Sequence, residues 1–295
     1  MTREPSLIEP ALNEPLSPFR NGFNTGMTVL AFALTAVAIL PLFAILWKII
    51  QEGLPQLNWQ TFTSLPAPVG SDPNEPSGFA NAIVGTFTMV GLASLFSIPL
   101  GILTGIFLSE FARGSKLADG IRFAAVLLSS TPSVIVGVFA YGLLVLTTKQ
   151  FSAIAGGFAL GVIMLPIVAL TTEEALKLVP MAYRLGSSAL GGTSFQTIFK
   201  IILPSAIAPI TTGVLLAVAR AAGETAPLMF TALFSQFWQE NLWSPTPSLP
   251  VLIYNYASSP FPEQNALAWT ASLVLVLLVL LTSLASRFFT RKRSS

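Results

Sequence analysis

Apolar residues run through this chain in long blocks, with charged residues confined to the gaps between them. No charge occurs between Arg20 and Lys48, Glu75 and Glu110, Arg122 and Lys149, Lys149 and Glu173, or Glu263 and Arg287. A helix needs about 20 apolar residues to cross roughly 30 Å of hydrocarbon, and each interval can hold one. A sixth apolar stretch, from about Leu203 to Phe234, carries Arg220 and Glu224 in its middle. The interval from Glu240 to Glu263 is also uncharged. It holds Pro245, Pro247, Pro250, Pro260 and Pro262, however, which predicts an irregular loop. The pattern therefore predicts an all-α, polytopic membrane protein with six transmembrane helices, at about 27–48, 80–108, 123–147, 151–172, 203–234 and 264–287. Around this domain (26–290) lie an N-terminal tail (1–25), outer loops at 51–79 and 235–263, an inner segment at 173–203 and a basic tail (291–295).

Lys and Arg set the orientation of such a bundle. With the N-terminus inside, the inner segments hold Arg3, Arg20, Arg113, Lys116, Arg122, Lys177, Arg184, Lys200, Arg287, Arg291, Lys292 and Arg293. The outer side has only Lys48 and Lys149. Both termini are thus expected in the cytoplasm. Trp47, Trp238, Trp243 and Trp269 fall near outer ends, and Phe288 and Phe289 near an inner end, as an interfacial belt would have them. The first apolar run follows a polar, Pro-containing stretch without an early basic region, so no removable signal peptide is expected.

Composition narrows the chemistry. Charged residues make up 9% of the 295, against about 25% in a soluble domain. The mean hydropathy is +0.73. With no His, the chain contains no Ser–His–Asp triad and no His-ligated metal. With no Cys, it contains no disulfide, thiolate zinc site or iron–sulfur cluster. The net charge of +2 is too small to suggest nucleic acid.

The sharpest local feature is Arg220-Ala221-Ala222-Gly223-Glu224-Thr225-Ala226-Pro227. A charge at mid-bilayer costs on the order of 3 kcal/mol, so it faces a cavity or a partner. Arg220 and Glu224 stand four apart and can pair on one helical face. Pro227 cannot donate to the carbonyl of Gly223, and glycine tolerates a break there, so the helix is expected to bend beside the charges. Two readings follow: an ion pair that locks helix packing, or a polar site on a transport path. In the second, the planar fork of Arg220 suits an oxyanion, while Glu224 accepts from a protonated oxygen that phosphate carries and sulfate at neutral pH does not. Gly223 and Thr225 adjoin this path.

A second polar cluster, Ser129-Ser130-Thr131-Pro132-Ser133, lies in the third span. Its hydroxyls either bond back to helix carbonyls and ease a kink at Pro132, or line the same pathway, with Ser130, Thr131 and Ser133 as candidates. The inner segment 173–203 reads as an amphipathic helix, a Gly break and a second helix capped near Thr193 or Ser194. Phe195, Ile198, Phe199 and Ile202 give it an apolar face that needs a partner, either the underside of the bundle or another protein.

Gly191, nine residues, then Ile201-Ile202-Leu203-Pro204 is the spacing of the cytoplasmic loop motif of ABC-importer permeases, and the chain resembles that family. It departs where the family's Glu-Ala-Ala stands, the matching places here being Leu185, Gly186 and Ser187. The Gly223-Glu224-Thr225-Ala226-Pro227 run is similar to the signature of the phosphate-transport permease subunit of PstA type. Gly85-Thr86, Ile98-Pro99-Leu100-Gly101, Leu108-Ser109-Glu110, Pro132 to Gly137 and Leu249-Pro250-Val251 support this resemblance, from about residue 80 onward.

The resemblance implies a MetI-like fold and a multi-subunit importer in the cell membrane. The chain would pair with a homologous permease (PstC type), two ATPase subunits (PstB type) and a phosphate-binding receptor (PstS type). It also implies that Arg184, Leu185, Ser188, Ala189, Leu190, Gly191, Gly192, Thr193, Phe195 and Pro204 couple the chain to the ATPase. No Gly-Lys pair occurs, so the chain has no phosphate-cradling P-loop. No cofactor is expected in this chain, since ATP and Mg would be held by the partner ATPase. ATP-driven phosphate import by alternating access is the expected activity, with no catalytic residue here. The rivals are a permease for another oxyanion or small nutrient, a secondary anion transporter and a membrane-embedded enzyme. A secondary transporter would show paired broken helices, and the sequence shows one. An enzyme would need a buried base beyond Glu224.

Overall fold

A computed structural model describes residues 17–70 and 75–291, with residues 285–291 described through the backbone alone. The greater part of the expected N-terminal tail, Phe288 and Phe289 as side chains, and the basic residues after Arg291 lie outside the described residues. The chain is helical, with no strand among the described residues.

Two units divide it, residues 1–51 and 52–295. Among the described residues the first holds α1 (Pro18–Gly53), whose last two residues are assigned to the second. It is longer than the 27–48 expected because Asn21, Gly22 and Asn24 prolong the helix without interrupting it.

The second unit begins with the short α2 (Trp59–Thr63), which is closed by a capping box. The Asn58 side chain accepts from the Thr61 backbone, and Thr61 Oγ1 accepts from the Asn58 N–H. The long α3 (Ala80–Ile106) runs into a π-helical turn, Phe107–Phe111. Next come α4 (Lys116–Ser130) and α5 (Ser133–Ala140), then a second π turn (Tyr141–Val145) and the single-turn α6 (Leu146–Thr148). After them, α7 (Ala153–Lys177) forms the centre of the unit, packed against α3, α4, α5, α10 (Leu203–Ala222) and α11 (Ala226–Thr231).

Small residues permit this packing. A Cβ on Gly105 would meet Thr172 Cβ of α7 at 2.6 Å, and one on Gly101 would meet Val168 Cβ at 2.7 Å, so α3 and α7 approach more closely than larger residues allow. The main buried cluster joins Met89, Leu160, Met164, Val168, Ala217 and Leu228 across these helices.

The segment expected as an irregular outer loop contains α12 (Leu249–Ala257). Pro250 sits in its first turn, where a missing N–H costs nothing. Leu249, Leu252 and Tyr256 pack with Phe79 of the α3 start and with Leu267 and Ala271 of α13 (Pro262–Arg291). Proline density therefore marked the ends of a helix here and not its absence. Among the described residues, five helical runs are long and apolar enough to cross a membrane. The pair α4 and α5, bent by 102°, makes a sixth if taken as one span.

Candidate functional site

Two breaks meet in the second unit. The first divides α4 from α5: Thr131 and Pro132 are extended, and the chain turns by 102°. The residue before a proline is disfavoured in the α region, so Ser130 is the last helical position. The second divides α10 from α11, with Gly223, Glu224 and Thr225 between the helices. The span expected to run to Phe234 therefore ends at Ala222, and Arg220 lies in its last turn and not at its middle. Gly223 has φ −95°, open to any residue, and a Cβ there would find its nearest neighbour at 3.7 Å. Pro227, which cannot donate to the Gly223 carbonyl, accounts for this break better than the glycine does.

The two short helices after the breaks pack against each other. A Cβ on Gly137 of α5 would stand 2.6 Å from Cα of Pro227 in α11. Where the sequence suggests one broken span, the structure has two, side by side.

Beside them lies a narrow cleft of about 10 Å³, lined by Leu128, Ser129, Thr131 and Ser133, by Ile163 and Ile167 of α7, and by Arg220. That is room for roughly one water in this chain by itself. The second polar cluster and Arg220, read separately in the sequence, line one cleft. Ser130 does not. Its hydroxyl bonds to the Leu127 carbonyl at 3.0 Å, while Ser129, which was not singled out, takes its place. Gly223, Glu224 and Thr225 are also absent from the lining. Ile163 and Ile167 carried no polar signal that a sequence reading could have detected.

Arg220 and Glu224 pair loosely, Nε to Oε1 at 3.5 Å, with the Arg220 side chain 53% exposed and that of Glu224 16%. Of the two readings, an exposed Arg220 side chain is the one a polar site on a path calls for. It is half-open, and its cation sits at a helix C-terminus, which favours positive charge. The hydroxyls divide by role. Ser129 Oγ donates to the Ala125 carbonyl at 2.8 Å and Thr131 Oγ1 to the Leu127 carbonyl at 2.7 Å. Their protons are thus committed, and what they offer the cleft is lone pairs. Arg220 and Ser133 remain as donors for an anion.

The inner segment also departs from expectation. Glu173 to Lys177 continue α7, and the second helix expected in the loop forms the opening turns of the fifth span, since Ser194–Ala222 is one continuous helical run. Between them stands α8 (Met181–Ala189), and the run opens with the single turn α9 (Ser194–Thr197), capped by Thr193 with Gln196. Gly191 has φ +77°, a left-handed turn that suits glycine. The Ser187 and Thr197 hydroxyls bond at 2.7 Å and hold α8 to α9. Before Pro204, which has no N–H for the Lys200 carbonyl, the helix widens into a π turn over Ile198–Ile202.

The expected apolar face divides. Ile198 and Ile202 are buried with Ile106, Leu176 and Ile210, on the bundle's own underside. Phe195 is exposed, as are Leu185 and Leu190, the last 92% so. Ser188, Ala189, Gly191, Thr193 and Pro204 are exposed and Gly192 half-buried. Arg184 is not free to meet a partner. Its side chain turns inward onto Glu110.

A chain of membrane-crossing helices with two broken elements around a cationic cleft, and an exposed apolar corner at one end, has the build of a transport permease. The family model described as "Binding-protein-dependent transport system inner membrane component" matches residues 97–295. The PstA phosphate transport system permease protein of Haemophilus influenzae is 42% identical over 92% of this chain and 95% of its own. The relative in Methanocaldococcus jannaschii, described as a probable PstA phosphate transport system permease protein, is 39% identical over 84% and 86%. Among solved structures, a bacterial alginate ABC transporter chain superposes with a TM-score of 0.66 at 15% identity, covering 93% of this chain and 97% of its own. The MetNI methionine ABC transporter gives 0.59 at 20%, covering 72% and 94%. These two show the ABC permease fold. The chain belongs to the binding-protein-dependent permease family and, within it, to the PstA phosphate transport system permeases.

Such permeases are transport subunits and not enzymes, and they work in complexes with other subunits. No cluster of His, Cys, Asp or Glu that could hold a metal occurs among the described residues.

Proposed function

We propose that this chain is the permease subunit of an ATP-driven importer of inorganic phosphate, forming one half of the pathway across the cell membrane. The observation that carries the reading is the cleft in which Arg220 and Ser133 offer donors while Ser129 and Thr131 offer lone pairs. Phosphate at neutral pH has both charged oxygens for the donors and a protonated oxygen for the acceptors. Sulfate lacks the second. Glu224, next to Arg220, is a further acceptor for that proton.

A homologous second permease supplies the facing wall, two ATPase subunits bind ATP and Mg, and a receptor delivers phosphate to the outer loops. Both termini face the cytoplasm, a reading supported by the Lys and Arg bias of the loops. The ATPase meets the exposed corner formed by Leu185, Leu190 and Phe195. Closure of the ATPases pushes on α8 and on the start of the fifth span, which runs without interruption to Arg220.

The test is uptake in proteoliposomes containing all the subunits. Phosphate is expected to be taken up with ATP and to stimulate hydrolysis, while sulfate does neither. Glu224→Gln is expected to narrow the phosphate-over-sulfate preference. Stimulation by another oxyanion in place of phosphate would overturn the substrate, and an unchanged preference in the variant would remove Glu224 from selectivity.

A further inference from the structure

Two carboxylates lie buried at the end of the bundle that carries α8, and neither reaches the cleft or the exposed corner. Glu110, in the π turn that ends α3, has a side chain 7% exposed, and Glu173 of α7 one 3% exposed. Arg184 of α8 holds Glu110 with a fork, Nη2 to Oε1 at 2.7 Å and Nε to Oε2 at 3.2 Å. The same guanidinium donates to the Leu176 carbonyl of α7 at 3.0 Å and to the Val179 carbonyl at 2.8 Å. One side chain thus joins α8 to α3 and α7 together. Arg113 adds a second cation at Glu110, at 3.5 Å.

Arg122 of α4 repeats the arrangement. Its Nε meets Glu173 at 2.7 Å, its Nη1 meets Asp119 at 2.8 Å, and its Nη2 donates to the Leu108 carbonyl at 3.3 Å. Leu108 belongs to the same π turn as Glu110. Lys177 closes on Glu173 at 2.6 Å. Two sets of hydrogen bonds, joined through the backbone of the Leu108–Glu110 turn, therefore lead from α8 through Arg184 and Glu110 to Arg122 and into α4. The far end of α4, about 10 Å further along at the helical rise, carries Ser129 and Thr131 into the cleft.

We propose that Glu110 and Arg122 are positioning residues of a relay that couples movement of α8 to α4 and so to the wall of the cleft. The inference rests on the import reading above. Apolar contacts alone would let α8 slide over α3 and α7. The fork fixes both position and direction, and opening it would leave a charge buried without its partner, at a cost of several kcal/mol. The relay therefore moves as one body when α8 is pushed. It also explains why two acids stay on apolar helices: each is matched by cations from a neighbouring element.

Because the chain has no cysteine, it suits paired labels. In the assembled transporter, Leu127→Cys on α4 and Leu216→Cys on α10 carry spin labels whose separation is measured with and without ATP. Phosphate moved per ATP hydrolysed is measured in parallel for Glu110→Gln and Arg122→Lys. ATP is expected to shift the separation in the parent, with the shift lost in Glu110→Gln. Both variants are expected to keep the ATPase bound and hydrolysing while phosphate per ATP falls about tenfold. A Glu110→Arg, Arg184→Glu exchange restores part of the coupling. An undiminished shift with unchanged phosphate per ATP overturns the relay, as does loss of assembly in both variants, which would make these pairs structural only. The label distances do not depend on the substrate, so a transporter that moves some other ion would sink the phosphate reading and leave the relay standing or falling by itself.

Discussion

Gly137→Ala tests the contact on which the paired breaks depend. A Cβ at this position would stand 2.6 Å from Cα of Pro227, 3.3 Å from its Cβ and 3.3 Å from Cδ2 of Phe230. Ordinary contact between such carbons begins near about 3.5 Å, so α5 and α11 must separate by most of an ångström. The first obstacle is backbone and cannot rotate away. Overpacking of this kind costs about 1–3 kcal/mol. Gly120→Ala is the reference. It lies in α4, where an added Cβ meets nothing within 4 Å, and in a helix Ala is favoured over Gly by up to about 1 kcal/mol. The two substitutions are the same in chemistry and opposite in expected sign. Thermal unfolding of the purified chain in detergent is expected to show a lowered midpoint for Gly137→Ala and an unchanged or raised one for Gly120→Ala. Phosphate uptake by the reconstituted complex is expected to fall only in the first. Equal midpoints and equal uptake would refute the argument that α5 and α11 are held at this distance by Gly137.

Other substitutions separate roles within the site. Ser133→Ala is expected to leave unfolding unchanged and weaken phosphate affinity by about 1 kcal/mol, roughly fivefold, read from the concentration dependence of uptake. Thr131→Val removes lone pairs from the cleft and is expected to reduce the preference for phosphate over sulfate in competition uptake. Gly223→Ala is expected to stay within about 0.5 kcal/mol in unfolding, since its φ is ordinary and its surroundings are open. Asn81→Ala removes the donor that reaches the Ser235 and Phe237 carbonyls. A cost of about 1–3 kcal/mol and faster proteolysis within 232–248 are expected.

The charge-free intervals coincide with the long apolar helices because insertion penalises charge regardless of how the helices later pack. Arg220, Glu224 and Pro227 marked a break for the same local reason: charge in an apolar run and a missing N–H are visible in one dimension. What stayed hidden depends on contacts between distant segments. Glu173 read as the start of a separate inner helix because nothing in the sequence couples it to Arg122, whereas in the structure it continues α7 to Lys177 and pairs with both Arg122 and Lys177. Arg184 read as a partner-facing cation until Glu110, far along the chain, claimed it. The Pro-rich outer segment concealed α12, because proline signals breaks equally well at the first turn of a helix. That Ser129 and not Ser130 lines the cleft depends on which face α4 turns toward α7 and α10, and no spacing rule supplies that.

The central claim is that Arg220 acts on the transported ion, and phosphate uptake in proteoliposomes with all subunits tests it most directly. Arg220→Ala is expected to abolish uptake while the complex still assembles. Arg220→Lys, which keeps the charge and loses the planar fork, is expected to retain only a small part of it. Normal uptake by both variants would contradict the account, leaving Arg220 as a counter-charge to Glu224 and the cleft without its cation.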